Sequence, residues 1–189
     1  MSDERWRCFV AIPLGEELRT DLAAAVDEWR ARPDLAGLRW SDAASWHVTL
    51  AFLGSIEPAV VRDLKARLAD AVDVHALVQR PTGGVGGFPS AARSRVAWYG
   101  VGDPDGALAD LAGDVRRAAG VEDAAFRGHV TLARARRGPV DLRAWVQDAD
   151  APAGVLGVNR VQLMRSRLGR GPAQYEVLES FALGAAARV

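Results

Sequence analysis

A chain of 189 residues that is 49% hydrophobic and 25% charged is long enough to bury a sizeable core and has an ordinary globular composition. Its 24 basic and 24 acidic residues cancel, which excludes the global basic field that marks many nucleic-acid binders; a grip on a polynucleotide has to come from local patches. A single cysteine, Cys8, excludes an intrachain disulfide. With neither a basic-then-apolar leader nor an apolar run of membrane-spanning length, the expectation is a cytoplasmic protein with no membrane partner.

In chain order, Arg7-Cys8-Phe9-Val10-Ala11-Ile12 reads as a first strand, stopped by Pro13. Residues 16–31 read as a helix with Leu18, Leu22, Ala25, Val26 and Trp29 on one face, Glu16 and Glu17 in the first turn, and Pro33 beyond its end. Leu38-Arg39-Trp40 is a short strand, and a longer one runs from about Trp46 to Leu53, ended by Gly54. Pro58 opens a helix to about Ala71. Residues 74–79 are a candidate strand, and the stretch from Pro81 to Pro89, rich in glycine, reads as a sharp turn or a loop beside a cleft. A strand over 95–101, a helix over 105–119, a strand over about 128–133 and a short helix over 141–147 follow. Residues 155–166 and 175–183 finish the chain as two strands joined by the turn Leu168-Gly169-Arg170-Gly171-Pro172. Short alternating strands interspersed with helices favour antiparallel sheet over a doubly wound parallel one. The expected fold is α+β and bilobal: two similar lobes of antiparallel sheet with outer helices and a cleft between them, in one domain over residues 1–189.

One tetrapeptide occurs twice, as His47-Val48-Thr49-Leu50 and His129-Val130-Thr131-Leu132, nearly half the chain apart, and it holds two of the three histidines. Each copy alternates polar and apolar residues, the mark of a half-buried strand, so His and Thr share one face while Val and Leu enter the core. A lone copy says little, because histidine is often semi-buried for packing alone. Both copies continue alike, with Ala51-Phe52-Leu53-Gly54 after the first and Ala133-Arg134-Ala135 after the second. If they face each other, two imidazoles and two hydroxyls surround a small anion, a site for acid–base chemistry on a phosphate.

Other motifs are weaker. Gly83-Gly84-Val85-Gly86-Gly87 lacks the Lys-Ser/Thr and the following helix of a phosphate loop. His75 stands alone and reads as a surface or strand-edge residue. There is no His-Glu-x-x-His and no clustered Cys/His spacing, so a metal-independent mechanism without cofactors is expected; Gly-x-Ser-x-Gly is also absent. Arg127, Arg134, Arg136, Arg137, Arg165, Arg167 and Arg170 form either a solvated face or a cleft rim that holds a nucleic-acid backbone. Trp40, Trp46, Phe88 and Trp98 are core candidates, with room for one or two to stack a base.

The two motifs, the opening strand, His47 through Gly54, Gly87-Phe88-Pro89, Phe126 through Arg134, Leu163-Met164-Arg165-Ser166 and Tyr175-Glu176-Val177-Leu178 together resemble the RNA 2′,3′-cyclic phosphodiesterases, also called 2′-5′ RNA ligases, of the two-histidine phosphoesterase superfamily. The resemblance spans the chain in order. It implies a bilobal α+β fold and hydrolysis of RNA 2′,3′-cyclic phosphate ends to 2′-phosphomonoesters. The implied roles are His47 as general acid, His129 as general base, Thr49 and Thr131 as donors to the non-bridging oxygens, and Arg134, Arg127 and Phe88 as substrate-binding residues. The reverse reaction is 2′-5′ ligation. Alternatives are a phosphodiesterase of small nucleotide cyclic phosphates, such as ADP-ribose 1″,2″-cyclic phosphate, and a non-catalytic nucleotide- or RNA-binding module. The family's proline before the second motif is replaced here by Gly128. Strict alternation also turns Arg134 away from His129, so its contact with substrate requires the strand to end or twist.

Overall fold

Apolar residues spaced by two and by 3.6 positions produce an α+β structure. The computed structural model describes residues 4–122, 125–167 and 174–184. Within them the order is β1 (Trp6–Pro13), α1 (Glu16–Arg30), β2 (Leu38–Trp40), β3 (His47–Ile56), α2 (Val61–Asp73), β4 (Val78–Phe88), β5 (Val96–Val101), α3 (Ala107–Ala119), β6 (His129–Ala135), α4 (Arg143–Asp148), β7 (Gly154–Val158), β8 (Arg160–Arg167) and β9 (Gln174–Ala182). The strands form one sheet in the order β7-β4-β5-β6-β3-β1-β8-β9, with β2 paired to β6. The pairings between these strands are antiparallel.

The order is symmetric about its middle. Outward from β3 lie β1, β8 and β9; outward from β6 lie β5, β4 and β7. The two halves are the expected lobes, but they are stitched together rather than merely adjacent. Helix α3, which follows β5 in one half, packs on β3 of the other. In return α1, which follows β1, lies against β7, where a Cβ on Gly154 would come 3.1 Å from a Leu18 methyl carbon. Trp29 of α1 also meets Trp145 of α4 edge to face. Leu18, Leu22, Val26 and Trp29 of α1 and Leu108, Leu111, Ala112 and Val115 of α3 are buried. Each large apolar side chain removed from water contributes about 1.5–3 kcal/mol, so neither half keeps its core without the other's helix.

The sheet is not flat. Strands β7 and β8 are six places apart in the sheet yet joined by Asn159 alone. Across a flat sheet that separation would be about 29 Å, at roughly 4.8 Å per strand. One residue spans it only if the sheet curls until its two halves face each other. The segment expected as a single strand over 155–166 is therefore two, broken at Asn159, the first paired with β4 and the second with β1.

Three further expectations are corrected. The glycine-rich stretch is not a loop but most of β4. Its glycines fit a strand crossed by a large ring: a Cβ on Gly86 would sit 2.2 Å from the Trp98 indole of β5. Gly84, at φ +67°, lies where the β4–β5 register slips between Thr82 and Val85. Gly54 does not end its strand; at φ +67° it absorbs a bulge opposite Cys8 and Phe9, and β3 continues to Ile56. His75 is not a free surface residue but is half-buried; it follows α2 and bonds Asp114 of α3 at 2.9 Å. The turn expected over 168–172, with Arg170, lies outside the described residues.

Gly86→Ala is expected to force the Trp98 ring aside and destabilise the fold by about 1–3 kcal/mol, the usual cost of overpacking. A lowered urea midpoint at unchanged slope is the measurement; a variant as stable as the parent would show that the ring yields freely.

Candidate active site

The cleft is built on β3 and β6, which meet at one register pair, Val48 opposite Val130. Val48, Leu50, Val130 and Leu132 are fully buried beneath the sheet. His47, Thr49, His129 and Thr131 stand half-buried on its other face and line one cavity of about 670 Å³. The two tetrapeptides thus come together as their alternation implies.

Arg134 lines the same cavity, and the reason is a bulge. On β5, neighbouring Ala97 and Trp98 pair with Ala133 and Thr131, which leaves Leu132 as an extra residue. The extra residue shifts the phase of the strand, so Leu132 and Ala133 are both buried and Arg134 emerges beside His129 and Thr131. The other half repeats the device: Val10 and Ala11 pair with Ala51 and Thr49, and Leu50 is the extra residue. There the emerging side chain is Phe52, 70% exposed and in the cavity lining. The twofold relation that duplicates histidine, threonine and bulge puts an aromatic ring where the second motif has a guanidinium.

The histidines are oriented identically. Nδ1 of His47 lies 2.7 Å from the Ser45 carbonyl, and Nδ1 of His129 lies 2.7 Å from the Arg127 carbonyl. A carbonyl only accepts, so each Nδ1 carries the proton and donates it, leaving Nε2 to exchange protons. Burial pushes the pKa of both imidazoles below the ordinary 6.5. The backbone carbonyls oppose this, while His129 and Arg134 lower His47 further, and Arg134 and Arg127 do the same to His129. Without an anion in the cleft the neutral form of each ring is therefore favoured. Phe9 stacks on His47 with centroids 4.8 Å apart, and Tyr175 meets both rings edge-on. Phe88 stands edge-on to His129 at 5.0 Å. Cys8 also lines the cavity, but burial raises its thiol pKa and keeps it protonated, a poor nucleophile.

The arginine cluster divides. Among the described residues no carboxylate pairs with Arg134 or Arg127. Arg127 lies in an adjoining groove, its guanidinium over Phe88 at 5.7 Å and Trp98 at 5.3 Å. Arg136 donates to the Leu38 carbonyl, Arg165 pairs with Glu4 and covers Trp6, and Arg167 pairs with Glu176. These three brace the sheet. Of the aromatic candidates, Trp46 is core, Trp40 packs on Trp145, and Phe88 lines the cleft with Trp98 packed against it. Gly128 fits its place because a Cβ there would come 2.6 Å from the Val101 carbonyl oxygen. No three His, Cys, Asp or Glu side chains among the described residues cluster to hold a metal ion, and no described helix is long and apolar enough to cross a membrane.

Two proton-exchanging nitrogens, two hydroxyls and a guanidinium around one cavity suit an anionic phosphorus centre with proton transfer on either side. That is phosphoesterase chemistry. The model of the LigT-like phosphoesterases matches residues 12–98. An RNA 2′,3′-cyclic phosphodiesterase of Aeropyrum pernix is 30% identical over 153 residues, 77% of this chain and 86% of that protein. A protein of the same name from Geobacillus stearothermophilus is 26% identical over 95% of this chain, which spans only 58% of its length. The crystal structure of E. coli LigT complexed with phosphate superimposes with a TM-score of 0.71 at 29% identity, covering 96% of this chain and 99% of that one. The chain belongs to the LigT-like phosphoesterase family.

Sequence reasoning did not single out Phe52, Phe9 or Tyr175. Phe52 had a signal, since the aligned repeats set Ala51-Phe52 against Ala133-Arg134. Phe9 and Tyr175 fall in stretches that carry the resemblance, but nothing there marks them as cleft residues, because their meeting depends on β1 lying between β3 and β8.

NMR titration of the two imidazoles in the ligand-free protein is expected to give midpoints below 6.5, with Nδ1 protonated in the neutral form. Arg134→Ala should raise both midpoints, because the cation that opposes protonation is gone. Midpoints above 6.5, or no response to the substitution, would contradict this electrostatic account.

Proposed function

We propose that this chain hydrolyses RNA 2′,3′-cyclic phosphate ends to 2′-phosphomonoesters by two-histidine acid–base catalysis. The observation that carries the reading is the pairing of β3 and β6, which sets two identically oriented imidazoles in one cleft with two threonines and an arginine that no described carboxylate pairs. His129 takes a proton from water as its oxygen attacks phosphorus. His47 gives a proton to the departing 3′ oxygen on the opposite side. One water is consumed, the P–O3′ bond breaks, and the phosphate stays on the 2′ oxygen. Thr49 and Thr131 donate hydrogen bonds to the non-bridging oxygens, where charge develops in the transition state. Arg134 adds charge-assisted bonds to the same group. The anion also corrects the protonation state: the burial and positive charge that hold both rings neutral are offset when a negative phosphate enters, so one imidazole is protonated beside its target.

His47→Ala and His129→Ala are each expected to lower turnover of a dinucleotide 2′,3′-cyclic phosphate by about 10²–10⁴-fold, the range for loss of a general acid or base. The assay is run on EDTA-treated protein, with circular dichroism as the folding check. A folded variant that keeps parental kcat would remove the two-histidine mechanism.

The pH profile follows from the direction of the shifts. The productive free enzyme has one imidazole protonated and one neutral, and both pKa values lie below 6.5. The bell in kcat/KM is therefore centred on the acid side of 6.5 and falls as pH rises through neutrality. The kcat bell, which reports the substrate-bound form, sits at higher pH because the bound anion favours protonation. A kcat/KM maximum well above neutral would contradict it.

A further inference from the structure

The cleft does not end at the histidines. Beyond His129 and Phe88 it continues into a groove of about 1020 Å³ that shares Thr49, Phe52, Phe88 and His129 with the central cavity. Taking the central cavity as the cyclic-phosphate site, we propose that this groove binds the nucleotide on the 5′ side of the cyclic end, so that the enzyme selects oligonucleotides over nucleoside cyclic phosphates.

Charge and shape select that occupant. A nucleoside 2′,3′-cyclic phosphate carries one phosphate, and Arg134 stands in the cavity that receives it. A chain one nucleotide longer brings a second phosphate, the linking phosphodiester, out of that cavity. Arg127 stands where the groove begins, without a carboxylate partner among the described residues. Its guanidinium lies over the Phe88 and Trp98 rings, a cation–π contact that does not use its N–H donors as a carboxylate would and leaves them for phosphate oxygens. Arg116, over the Phe126 ring at 5.9 Å, lines the groove further on. Glu122 is the carboxylate of this described lining.

The groove also offers flat apolar surface to a base. Phe52 is 70% exposed and lines both spaces. It occupies the position that the twofold relation gives to Arg134 in the other half. A second arginine there would serve the cyclic phosphate from both sides; a phenyl ring does not bind phosphate but does stack a nucleobase. Phe126 adds a second ring. Guanidinium at the entrance and aromatic faces within match the linking phosphate and the base of one nucleotide.

The test compares kcat/KM for a nucleoside 2′,3′-cyclic phosphate and for a dinucleotide with the same cyclic end. The parent protein is expected to favour the dinucleotide by about tenfold or more, a factor consistent with one stacked base and one phosphate contact, and the advantage should shrink as salt rises. Arg127→Ala and Phe52→Ala should each bring the ratio of the two kcat/KM values towards one, and Arg127→Lys should restore part of it. Phe52 is exposed, so its variant is expected to keep the parental melting temperature and serves if Arg127→Ala folds poorly. Equal kcat/KM for the two substrates in the parent would overturn the proposal. So would variants that slow both substrates equally, which is what a groove for the terminal nucleoside, or a merely structural Arg127, would give. Calorimetric titration with the two 2′-phosphate products is independent of turnover. If neither cyclic substrate is hydrolysed, the catalytic reading fails, while tighter binding of the dinucleotide product still upholds the groove and equal binding overturns it.

Discussion

The structure depends on the antiparallel contact of β3 and β6 at Val48 and Val130. One register pair suffices because the residues beneath it form a continuous apolar layer, with Val48, Leu50, Val130 and Leu132 wholly buried. A one-residue slip of either strand would turn its histidine and threonine into that layer and its valine and leucine into the cleft, at the cost of two buried polar groups. Register is thus enforced by core packing, and the site inherits its geometry from the hydrophobic effect. The crossed helices act in the same direction: α1 and α3 each belong in sequence to one half and pack on the other, so neither half can move without disturbing the other's core.

The bulges at Leu50 and Leu132 have a different role. Strict alternation puts only every second residue in the cleft, so His and Thr exhaust what a regular strand presents over one short stretch. An inserted residue resets the phase and brings a third side chain to the same face within five residues of the histidine. Both halves use the device, and they diverge only in what it delivers, Arg134 on one side and Phe52 on the other. A symmetric scaffold thereby presents an asymmetric lining, with a guanidinium on one wall and an aromatic ring on the other.

Electrostatically the cleft carries uncompensated positive character from Arg134 beside two histidines. Burial and the nearby arginines oppose protonation of both imidazoles, and the backbone carbonyls that anchor Nδ1 only partly offset this. Negative charge brought into the cleft would shift the balance back towards protonation of a ring. Bracing arginines elsewhere, such as Arg165 on Glu4 and Arg167 on Glu176, have their charge met by carboxylates. No described carboxylate pairs with Arg134 or Arg127, which line the cleft and its adjoining groove. Net charge, zero over the whole chain, says nothing of this local distribution.

The sequence by itself determined the local elements and the identity of the repeated pair, because alternation and helical spacing are properties of consecutive residues. It also aligned Phe52 with Arg134, through the matching alanines before them. Tertiary structure alone decided that Leu50 and Leu132 bulge, since a bulge is a mismatch with a partner strand, and β1 and β5 are not neighbours of β3 and β6 in sequence. It turned the glycine-rich stretch from an expected loop into β4, because the reason for Gly86 is the Trp98 ring lying across it. It divided residues 155–166 between two edges of a curled sheet, which no run of apolar residues records. It separated the arginines that brace from those that face the cleft, since pairing with Glu4 or Glu176 is a matter of distance in space. Contacts between remote strands arise from how the whole apolar surface is buried at once, and that sum is not written in any local stretch of chain.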